Sequence, residues 1–374
     1  MVCLCCCPCA SVYVLLVTLG GGLLNRAHTH ASSSGNFSNL LPELRDWDCP
    51  AGLLEPYLLL TTFVGMTSSS FCPFLRSTLA NMASTSTLVV FTDDAHRLTF
   101  VPPLVKVIMV SKAAPMVWHL WRYFLYSKYL EFCMERLPPN SIQRVAISDS
   151  RDVFVLGNIW HSRAVQDAVL NDQVMFSLQG NPTSSGPGAP MPIRHRRTNM
   201  RWIRVCFPGA ERDAKLLNVP VSCSGVTVGS SKAMLNYTNK LADLLLNGAH
   251  ARCWVTRGAD QALHIMLLKM SLDASPDLNF RIKVLPNGES PVYSAVHGFP
   301  ISVSPQGKVA VARGFLREWR FSPMILHQYD RDEHISRVVR GVYNCSSGVR
   351  YALLSRHWLG WAALQVVMSL CLFV

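Results

Sequence analysis

The sequence predicts an α/β fold with a mostly parallel central sheet and helices on both of its faces. Short, continuous apolar runs are typical of strands buried on both faces, and four of them occur at 57–64, 86–91, 105–110 and 144–148. Stretches with helical periodicity alternate with these runs, as in a parallel sheet. Polar residues follow several of the strands, at 61–62, 92–94 and 149–152. Ligands of such sheets bind outside the carboxyl ends of the strands, so these residues mark the predicted binding edge.

The first half of the chain contains these four strands and the longest predicted helix. A shorter helix is predicted over 71–84, between the first two strands. The long helix is predicted over 117–133 because its apolar residues share one face: Val117, Leu120, Trp121, Phe124, Leu125, Tyr129, Phe132 and Cys133. Pro138 and Pro139 end it. The strand 144–148 then runs directly into Asp149.

The second half of the chain begins with a long polar segment. Residues 181–200 are rich in proline, glycine and serine and then become basic, which predicts a mobile loop. The basic residues are Arg194, His195, Arg196 and Arg197. They indicate either a solvated loop or a flap that binds an acceptor or a phosphate. A strand is predicted over 221–229, then a helix capped by Ser230 or Ser231 and ended by Gly248, and a further helix over 260–270.

Both ends of the chain are apolar. Residues 1–24 contain an uncharged apolar run, which predicts a signal anchor or a cleaved signal peptide. Residues 25–50 are polar and are interpreted as a stem, and 51–345 as the folded domain. The hydrophobic tail 346–374 begins with small residues, which favours a GPI-attachment signal, although a membrane segment or a buried terminal helix also fits.

Cysteines and sequons predict an oxidising compartment. Of 13 cysteines, seven lie between the apolar ends, and no Cys-x-x-Cys pair occurs among them, which argues against structural zinc. We expect a few disulfides, with at least one thiol left over. The sequons at Asn36, Asn236 and Asn344 predict that residues 50–345 are luminal or extracellular.

The net charge of +12 suits a phosphate-bearing ligand, an anionic membrane surface or nucleic acid. No zinc-finger spacing, RNP-like strand or basic heptad helix occurs, so nucleic acid is not expected as a partner. No Gly-x-Gly-x-x-Gly or Walker loop follows a strand, and no Gly-x-Ser-x-Gly elbow occurs. These absences argue against nicotinamide enzymes, P-loop NTPases and α/β-hydrolases.

The segment Asp149-Ser150-Arg151-Asp152 carries the clearest chemical signal. Two carboxylates at the end of an apolar strand need water, a cation or arginine partners. A divalent metal bound to a diphosphate meets that need, because oxygen ligands suit hard cations. The alternative is an aspartate-rich turn with a surface salt bridge to Arg151.

Five segments, in chain order, resemble the GT-A glycosyltransferases that have an Asp-x-Arg-Asp form of the Asp-x-Asp motif. They are 122–124 with 129–130, 149–154, 223–226 leading into Gly229, 260–262 and 327–331. The resemblance covers about Tyr57 to Arg331, which is most of the predicted luminal chain. Where the family segment often begins with asparagine, this chain has Cys223. The resemblance implies a GT-A-like sheet and a metal-assisted transfer.

The resemblance also implies a metal site. Asp152 would ligate Mn²⁺ or Mg²⁺, Asp149 would bind the metal or the donor ribose, and His327 would complete the site from the far end of the chain. Imidazole is an acceptable ligand for Mn²⁺. We therefore expect these three side chains to converge at the carboxyl edge of the sheet.

Donor-binding and catalytic residues are implied in the same way. Ser224 and Gly225 would line the donor-sugar pocket, with Thr62, Arg122, Asp149 and Gln261 as further donor contacts. Asp260 would contact a sugar or acceptor hydroxyl, and in an inverting enzyme it is the candidate base.

The function implied is transfer of a sugar from a nucleotide-sugar donor to a glycan, protein or lipid acceptor. The chain would be membrane-associated, with its catalytic domain in the lumen of the Golgi or endoplasmic reticulum, or alternatively at the cell surface. Two other functions fit the same sequence. One is a catalytically inactive, glycan-binding surface protein of the same fold, and the other is a nucleotidyltransferase.

Overall fold

The computed structural model describes residues 47–49, 57–82, 86–98, 102, 105–111, 116–180, 190–295, 301–303, 309–313, 319–343 and 345. The predicted N-terminal apolar segment, most of the stem and the C-terminal tail lie outside these residues. Within them, no helix combines the length and the apolar character needed to cross a bilayer.

The first half alternates strands and helices as predicted. In chain order, the elements are β1 Tyr57–Phe63, α1 Ser68–Met82, β2 Thr87–Thr92, β3 Val105–Met109, α2 Trp118–Arg136, β4 Arg144–Ser148, β5 Val153–Val155 and α3 Arg163–Leu170. The helix α1 begins three residues earlier than predicted. Proline at position 73 is the sixth residue of α1, so the helix lacks the backbone hydrogen bond that an amide at this position would donate to residue 69.

Within the described residues, the second half contains strands of three to five residues and five α-helices. The elements are β6 Gln173–Ser177, α4 Arg197–Cys206, α5 Ala214–Asn218, β7 Val226–Ser230, α6 Ser231–Asp243, α7 Ala259–Leu272, β8 Arg281–Leu285, β9 Val292–Ser294, β10 Ile301–Val303, β11 Val309–Arg313, β12 Trp319–Phe321, β13 Ile325–His327 and α8 Glu333–Val342. Ser230 caps α6, because its hydroxyl accepts a hydrogen bond from the amide of Ala233 at 3.1 Å. A single π-helical turn, Leu244–Gly248, extends α6 to the predicted Gly248.

The central sheet has seven strands in the order β3-β2-β1-β4-β7-β6-β8. The pairs β3-β2, β2-β1, β1-β4 and β6-β8 are parallel, whereas β7 is antiparallel to both of its neighbours. The α/β class and the mostly parallel sheet are therefore confirmed. Two smaller three-stranded sheets have the orders β5-β13-β9 and β10-β11-β12.

Hydrophobic cores cover both faces of the central sheet. Leu58, Leu60 and Val145 belong to one core, together with residues of α2, α4, α6 and α7. Leu59 and Ala146, which alternate with them along the strands, belong to the other core, together with residues of α1 and α3. Because β1, β2 and β4 are parallel, their carboxyl ends meet at one edge, directly before Asp149.

Two sequence-based boundaries are corrected by the structure. The strand predicted over 221–229 begins only at Val226, because residues 223–225 turn toward the carboxyl edge of the sheet. The loop predicted over 181–200 ends earlier, since α4 begins at Arg197. Asn199, Ile203 and Cys206 recur at helical spacing on α4 and are buried, so tertiary packing stabilises a helix in this basic segment. Residues 181–189 lie outside the described residues.

The folded domain extends into the predicted stem. Trp47 is buried against Phe91, Tyr129 and Phe132, and Cys49 forms a disulfide with Cys133. The end of the segment 25–50 therefore belongs to the core. Two further disulfides join Cys72 to Cys345 and Cys206 to Cys253, and Cys223 remains a buried free thiol. The expectation of a few disulfides with one thiol left over is confirmed.

Candidate metal centre

Strand pairing brings together three side chains that are far apart in the sequence. Asp149 directly follows β4, and its amide donates to the carbonyl oxygen of Gly225 at 2.7 Å. Asp152 directly precedes β5, and β13 pairs with β5 so that His327 lies opposite Val153. The amide of Gln328 donates to the carbonyl oxygen of Asp152 at 2.7 Å, which links the two segments. The end of β13 is thus held beside the loop after β4.

Each carboxylate has one oxygen paired with an arginine and a second oxygen that faces His327. Arg122 pairs with Oδ1 of Asp149, and Nη2 of Arg151 lies 3.3 Å from Oδ2 of Asp152. Nε2 of His327 is 3.7 Å from Oδ2 of Asp149 and 3.5 Å from Oδ1 of Asp152. One ligand atom from each of these three residues lies within 4.8 Å of the others. The structure therefore brings together the three residues predicted to bind a metal.

The spacing and chemistry of these atoms suit a divalent ion. Bonds of about 2.1–2.6 Å place neighbouring ligands of a six-coordinate ion about 3.0–3.7 Å apart, which matches the separations from the imidazole nitrogen. Two carboxylate oxygens suit Mg²⁺, Ca²⁺ and Mn²⁺, and the imidazole favours Mn²⁺ among these. The donor set fits the predicted metal; which ion binds stays a prediction.

The charges of the cluster shift the pKa of all three side chains. Burial alone would raise the pKa of Asp149, but Arg122 and His327 outweigh burial and hold it well below its usual value. The pKa of Asp152 is also lowered, because the attraction of His327 outweighs burial. Burial alone would lower the pKa of His327, but its interactions with Cys223 and the two aspartates raise it well above its usual value. Metal binding at Nε2 must therefore displace a proton.

Gly225 and Cys223 hold the imidazole ring in position. A Cβ atom at Gly225 would collide with the ring of His327 and lie 3.0 Å from Oδ2 of Asp149, so only glycine fits there. Sγ of Cys223 lies 2.9 Å from Nδ1 of His327. A neutral imidazole binds an ion through Nε2 only when its proton is on Nδ1, and the sulfur can accept that proton. Gly225 thus makes room for the imidazole; its predicted contact with a donor sugar stays a prediction.

A second polar cluster, formed by Arg122, Asp260 and Ser224, adjoins the candidate metal centre. Besides contacting Asp149, Arg122 donates through Nη2 to Oδ2 of Asp260 at 3.1 Å. Burial would lower the pKa of Arg122, but Asp149, Tyr123 and Asp260 raise it well above its usual value, so it stays charged. The Ser224 hydroxyl donates to the same Oδ2 at 3.0 Å. Arg122 therefore joins the candidate metal centre to the candidate base.

The second oxygen of Asp260, Oδ1, has fewer polar contacts than Oδ2. Among the described residues, the partner found for Oδ1 of Asp260 is Nε2 of His119, at 3.9 Å. Asp260 lies at the start of α7, where the helix dipole favours a negative charge. Its side chain is about one-tenth exposed, and Oδ1 takes no part in the hydrogen bonds from Arg122 and Ser224.

Gln261 and Thr62, the remaining residues predicted to contact the donor, both form hydrogen bonds within the protein. Gln261 uses its amide within the protein: Nε2 donates to the carbonyl oxygen of Ser222, and Oε1 accepts from the amide of Ser224 at 3.1 Å. It positions the 222–224 segment in this structure. Thr62 lies at the end of β1, and its carbonyl oxygen accepts from the Ser150 hydroxyl at 2.7 Å. Both residues border the site, and their contact with a donor stays a prediction.

Sequence reasoning missed the position of His119 in this site. His119 precedes Arg122 by three residues on α2, so both lie on one helix face, and that spacing was the available signal. Its Nε2 lies within 3.1 Å of both the amide of Gly258 and the carbonyl oxygen of Thr256. In the sequence, Cys223 is only a departure from the family motif, whereas in the structure it contacts His327. His264 lies between the hydroxyls of Ser222 and Tyr237.

The fold and the site define an α/β protein with a candidate divalent-metal site at the carboxyl edge of its central sheet. No family model matches the chain, and no curated protein gives a significant match. The function must therefore be argued from the geometry of the site.

Proposed function

We propose that the chain is a metal-dependent glycosyltransferase of the secretory pathway, which transfers a sugar from a nucleotide-sugar donor to an acceptor hydroxyl. The observation that carries this proposal is the convergence of Asp149, Asp152 and His327 on one point. Each carboxylate directs to that point the oxygen that is not paired with an arginine. Its position beyond the parallel strands β1 and β4 supports the proposal, because ligands of open α/β sheets bind there.

Asp149, Asp152 and His327 would hold the ion, which would supply Lewis-acid stabilisation of the charge that develops on the leaving diphosphate. Arg122 keeps Asp149 ionised and fixes the rotamer of its carboxylate. His327 is the main cause of the lowered pKa of Asp152, whereas Arg151 contacts Oδ2 of that carboxylate and also lies 3.7 Å from Asp330. These arginines therefore preorganise the ligand oxygens before an ion binds.

Asp260 is proposed to act on the acceptor. In an inverting transfer, the acceptor oxygen forms a bond to the anomeric carbon, the bond from that carbon to the diphosphate breaks, and the acceptor proton passes to Asp260. Oδ1 is the oxygen suited to this step, because Arg122 and Ser224 use Oδ2. These two donors hold the carboxylate in place and leave Oδ1 to the acceptor.

The disulfides support the assignment to the secretory pathway. Three bonds join six of the seven cysteines of the described region, and each pair is separated by at least 47 residues in the sequence. Disulfides of this kind persist in oxidising compartments and are rare in the cytosol.

The test is a screen of nucleotide sugars with Mn²⁺, Mg²⁺, Zn²⁺ or EDTA. Two readouts are needed: the thermal midpoint of the protein, and release of nucleoside diphosphate in the absence of an acceptor. We expect one donor to raise the thermal midpoint and to be hydrolysed slowly only with a divalent ion.

Each alternative outcome contradicts the proposal in a different way. Glycan binding without turnover of any donor would indicate a receptor. Release of pyrophosphate from a nucleoside triphosphate and a sugar phosphate would indicate a nucleotidyltransferase. Turnover that is unchanged by EDTA and by Asp152→Asn would refute the metal-dependent mechanism.

A further inference from the structure

One surface of the domain carries six exposed arginines, and we call it the arginine surface. Its members come from two segments of the chain, 194–204 and 252–257: Arg194, Arg197, Arg201, Arg204, Arg252 and Arg257. The wider stretches 190–210 and 244–259 contain no aspartate, glutamate or lysine. The excess of positive charge is therefore concentrated here, and it is made of arginine alone.

The arginine surface is rigidly built. On α4, Arg197, Arg201 and Arg204 recur at intervals of four and three residues, so they share the exposed face of the helix. The disulfide between Cys206 and Cys253 joins α4 to the turn that carries Arg252 and Arg257. The amide of His250 also donates to the carbonyl oxygen of Cys206 at 2.7 Å. Repulsion among these cations is thus opposed by covalent and backbone links.

Intramolecular acidic partners are scarce. Arg204 lies 3.6 Å from Glu211, and Arg194 contacts Asn218. Within the described part of the chain, Arg197, Arg201, Arg252 and Arg257 have no acidic side chain within ion-pair distance. Uncompensated positive charges on one exposed helix face and on the turn linked to it favour binding of an anion.

The arginine surface leads directly to Asp260. Gly258 has a left-handed φ of 81°, and a Cβ there would collide with the indole of Trp202 on α4. The Gly258 amide donates to Nε2 of His119 at 3.1 Å, and that nitrogen lies 3.9 Å from Oδ1 of Asp260. Arg257 immediately precedes Gly258 in the chain, so a ligand that extends along the arginine surface past Arg257 would approach Asp260, whose Oδ1 is proposed to receive the acceptor proton.

We propose that the arginine surface is the acceptor site and that the acceptor is an anionic oligosaccharide, bearing carboxylate, sulfate or phosphate groups. This inference rests on the proposed function and specifies its substrate class. Guanidinium groups bind such oxyanions through two parallel hydrogen bonds, which lysine cannot do, and the absence of lysine fits that role. A membrane-binding surface would also need several exposed apolar side chains. In the stretches 190–210 and 244–259, the exposed large apolar side chain is that of Val255.

The test measures binding of a fully sulfated heparin hexasaccharide to the wild-type protein by calorimetry, with maltohexaose as the neutral probe. The variant is Arg201→Gln with Arg257→Gln. The control is Arg163→Gln with Arg337→Gln, which removes the same charge from two exposed arginines on α3 and α8. We expect the first variant to weaken hexasaccharide binding by about tenfold or more and the control by less than about twofold.

Donor hydrolysis without an acceptor provides the internal check. We expect the Arg201/Arg257 variant to keep wild-type donor hydrolysis and thermal midpoint, and Asp152→Asn to keep hexasaccharide binding. A second variant, Arg201→Lys with Arg257→Lys, should show intermediate binding, because it keeps the charge and loses the paired donors.

Several results would overturn the inference. They are unchanged hexasaccharide binding in the Arg201/Arg257 variant, an equal loss in the control, equal binding of maltohexaose, or tighter binding of phosphatidylserine vesicles or single-stranded DNA through the same arginines. Failure of the proposed function is distinguishable, because the wild-type protein would then bind the hexasaccharide and hydrolyse no donor.

Discussion

Asp152 is the residue on which the proposed chemistry depends most directly. Its carboxylate is almost fully buried, with Oδ2 near Arg151 and Oδ1 facing His327. Replacement by asparagine keeps the shape of the side chain and removes its charge. We expect Asp152→Asn to lower metal-dependent turnover by about 10³-fold, because Lewis-acid stabilisation is worth several kcal/mol.

The fold should survive this substitution, and a second readout separates metal binding from folding. Mn²⁺ should raise the thermal midpoint of the wild-type protein and leave that of Asp152→Asn unchanged. The matched control is Asp330→Asn, a nearby carboxylate that also faces Arg151 but lies outside the cluster of three. Equal loss of activity in both variants would contradict the assignment of Asp152 as a ligand.

Cys223 is expected to position His327 through the contact between Sγ and Nδ1. Loss of such an outer partner typically weakens metal binding by about 10–100-fold. We therefore expect Cys223→Ala to weaken Mn²⁺ binding by about tenfold, and Cys223→Ser, whose hydroxyl can accept the same proton, to weaken it less.

His327→Ala should lower turnover less than Asp152→Asn, because water can replace the imidazole on the ion.

The measurement for Cys223 is the Mn²⁺ dissociation constant from calorimetry, together with kcat at saturating metal. A positioning role changes the dissociation constant and leaves kcat at saturation near its wild-type value. Equal Mn²⁺ affinity in Cys223→Ala and the wild-type protein would show that the ring is held without the sulfur.

Among the secondary-structure elements, α7 is joined to the sheet through a buried histidine. His264 stacks on Phe176 of β6 with ring centroids 3.7 Å apart, and its two nitrogens each lie 2.9 Å from a hydroxyl, those of Ser222 and Tyr237. Burial, with a smaller contribution from Arg122, lowers the pKa of His264 to about 3. The imidazole is therefore neutral in the folded protein at neutral pH.

This depressed pKa predicts a loss of stability in acid. Between the unfolded value of about 6.5 and the folded value of about 3, the unfolded chain binds a proton at this residue that the folded chain does not. The free energy of unfolding should then fall by at most about 1.4 kcal/mol per pH unit as the pH drops through this range. Denaturant unfolding at several pH values measures the slope.

His264→Gln is the comparison for that slope. Glutamine keeps a polar group near Ser222 and cannot be protonated, so the variant should be less stable at neutral pH and should lose stability less steeply in acid. Parallel pH profiles for the two proteins would show that other groups cause the acid sensitivity.

The whole molecule is held together by bonds between distant parts of the chain. The disulfide between Cys72 and Cys345 links α1 to the end of the described domain, and that between Cys49 and Cys133 links the segment before β1 to α2. We expect peptide mapping without reduction to recover these two pairs and Cys206–Cys253, with Cys223 as a thiol. Treatment with an endoglycosidase should increase the mobility of the secreted or membrane-bound protein on a gel.

A cytosolic protein would give the opposite result. Reduced cysteines throughout, together with no mobility shift, would contradict the secretory assignment and remove the support that the disulfides lend to it. Asn236 is a partly exposed sequon residue on α6. Its replacement by Gln tests glycosylation at that site separately.

The sequence by itself determined the central α/β framework. The apolar runs that became β1, β2, β3 and β4 are short and rich in branched residues, and local pattern suffices to place such strands. The aspartates after β4 are also recognisable from the local sequence, because a charge buried at a strand end needs a partner.

Only the tertiary structure decided how distant segments meet. Pairing of β13 with β5 places His327 beside Asp152, and the Cys206–Cys253 bond places Arg257 beside α4. The helical start at Arg197 and the burial of Trp47 also depend on packing against other elements. Local patterns carry no information about which strand edges or helix faces will meet, because those contacts arise from the free energy of burying surface across the whole chain.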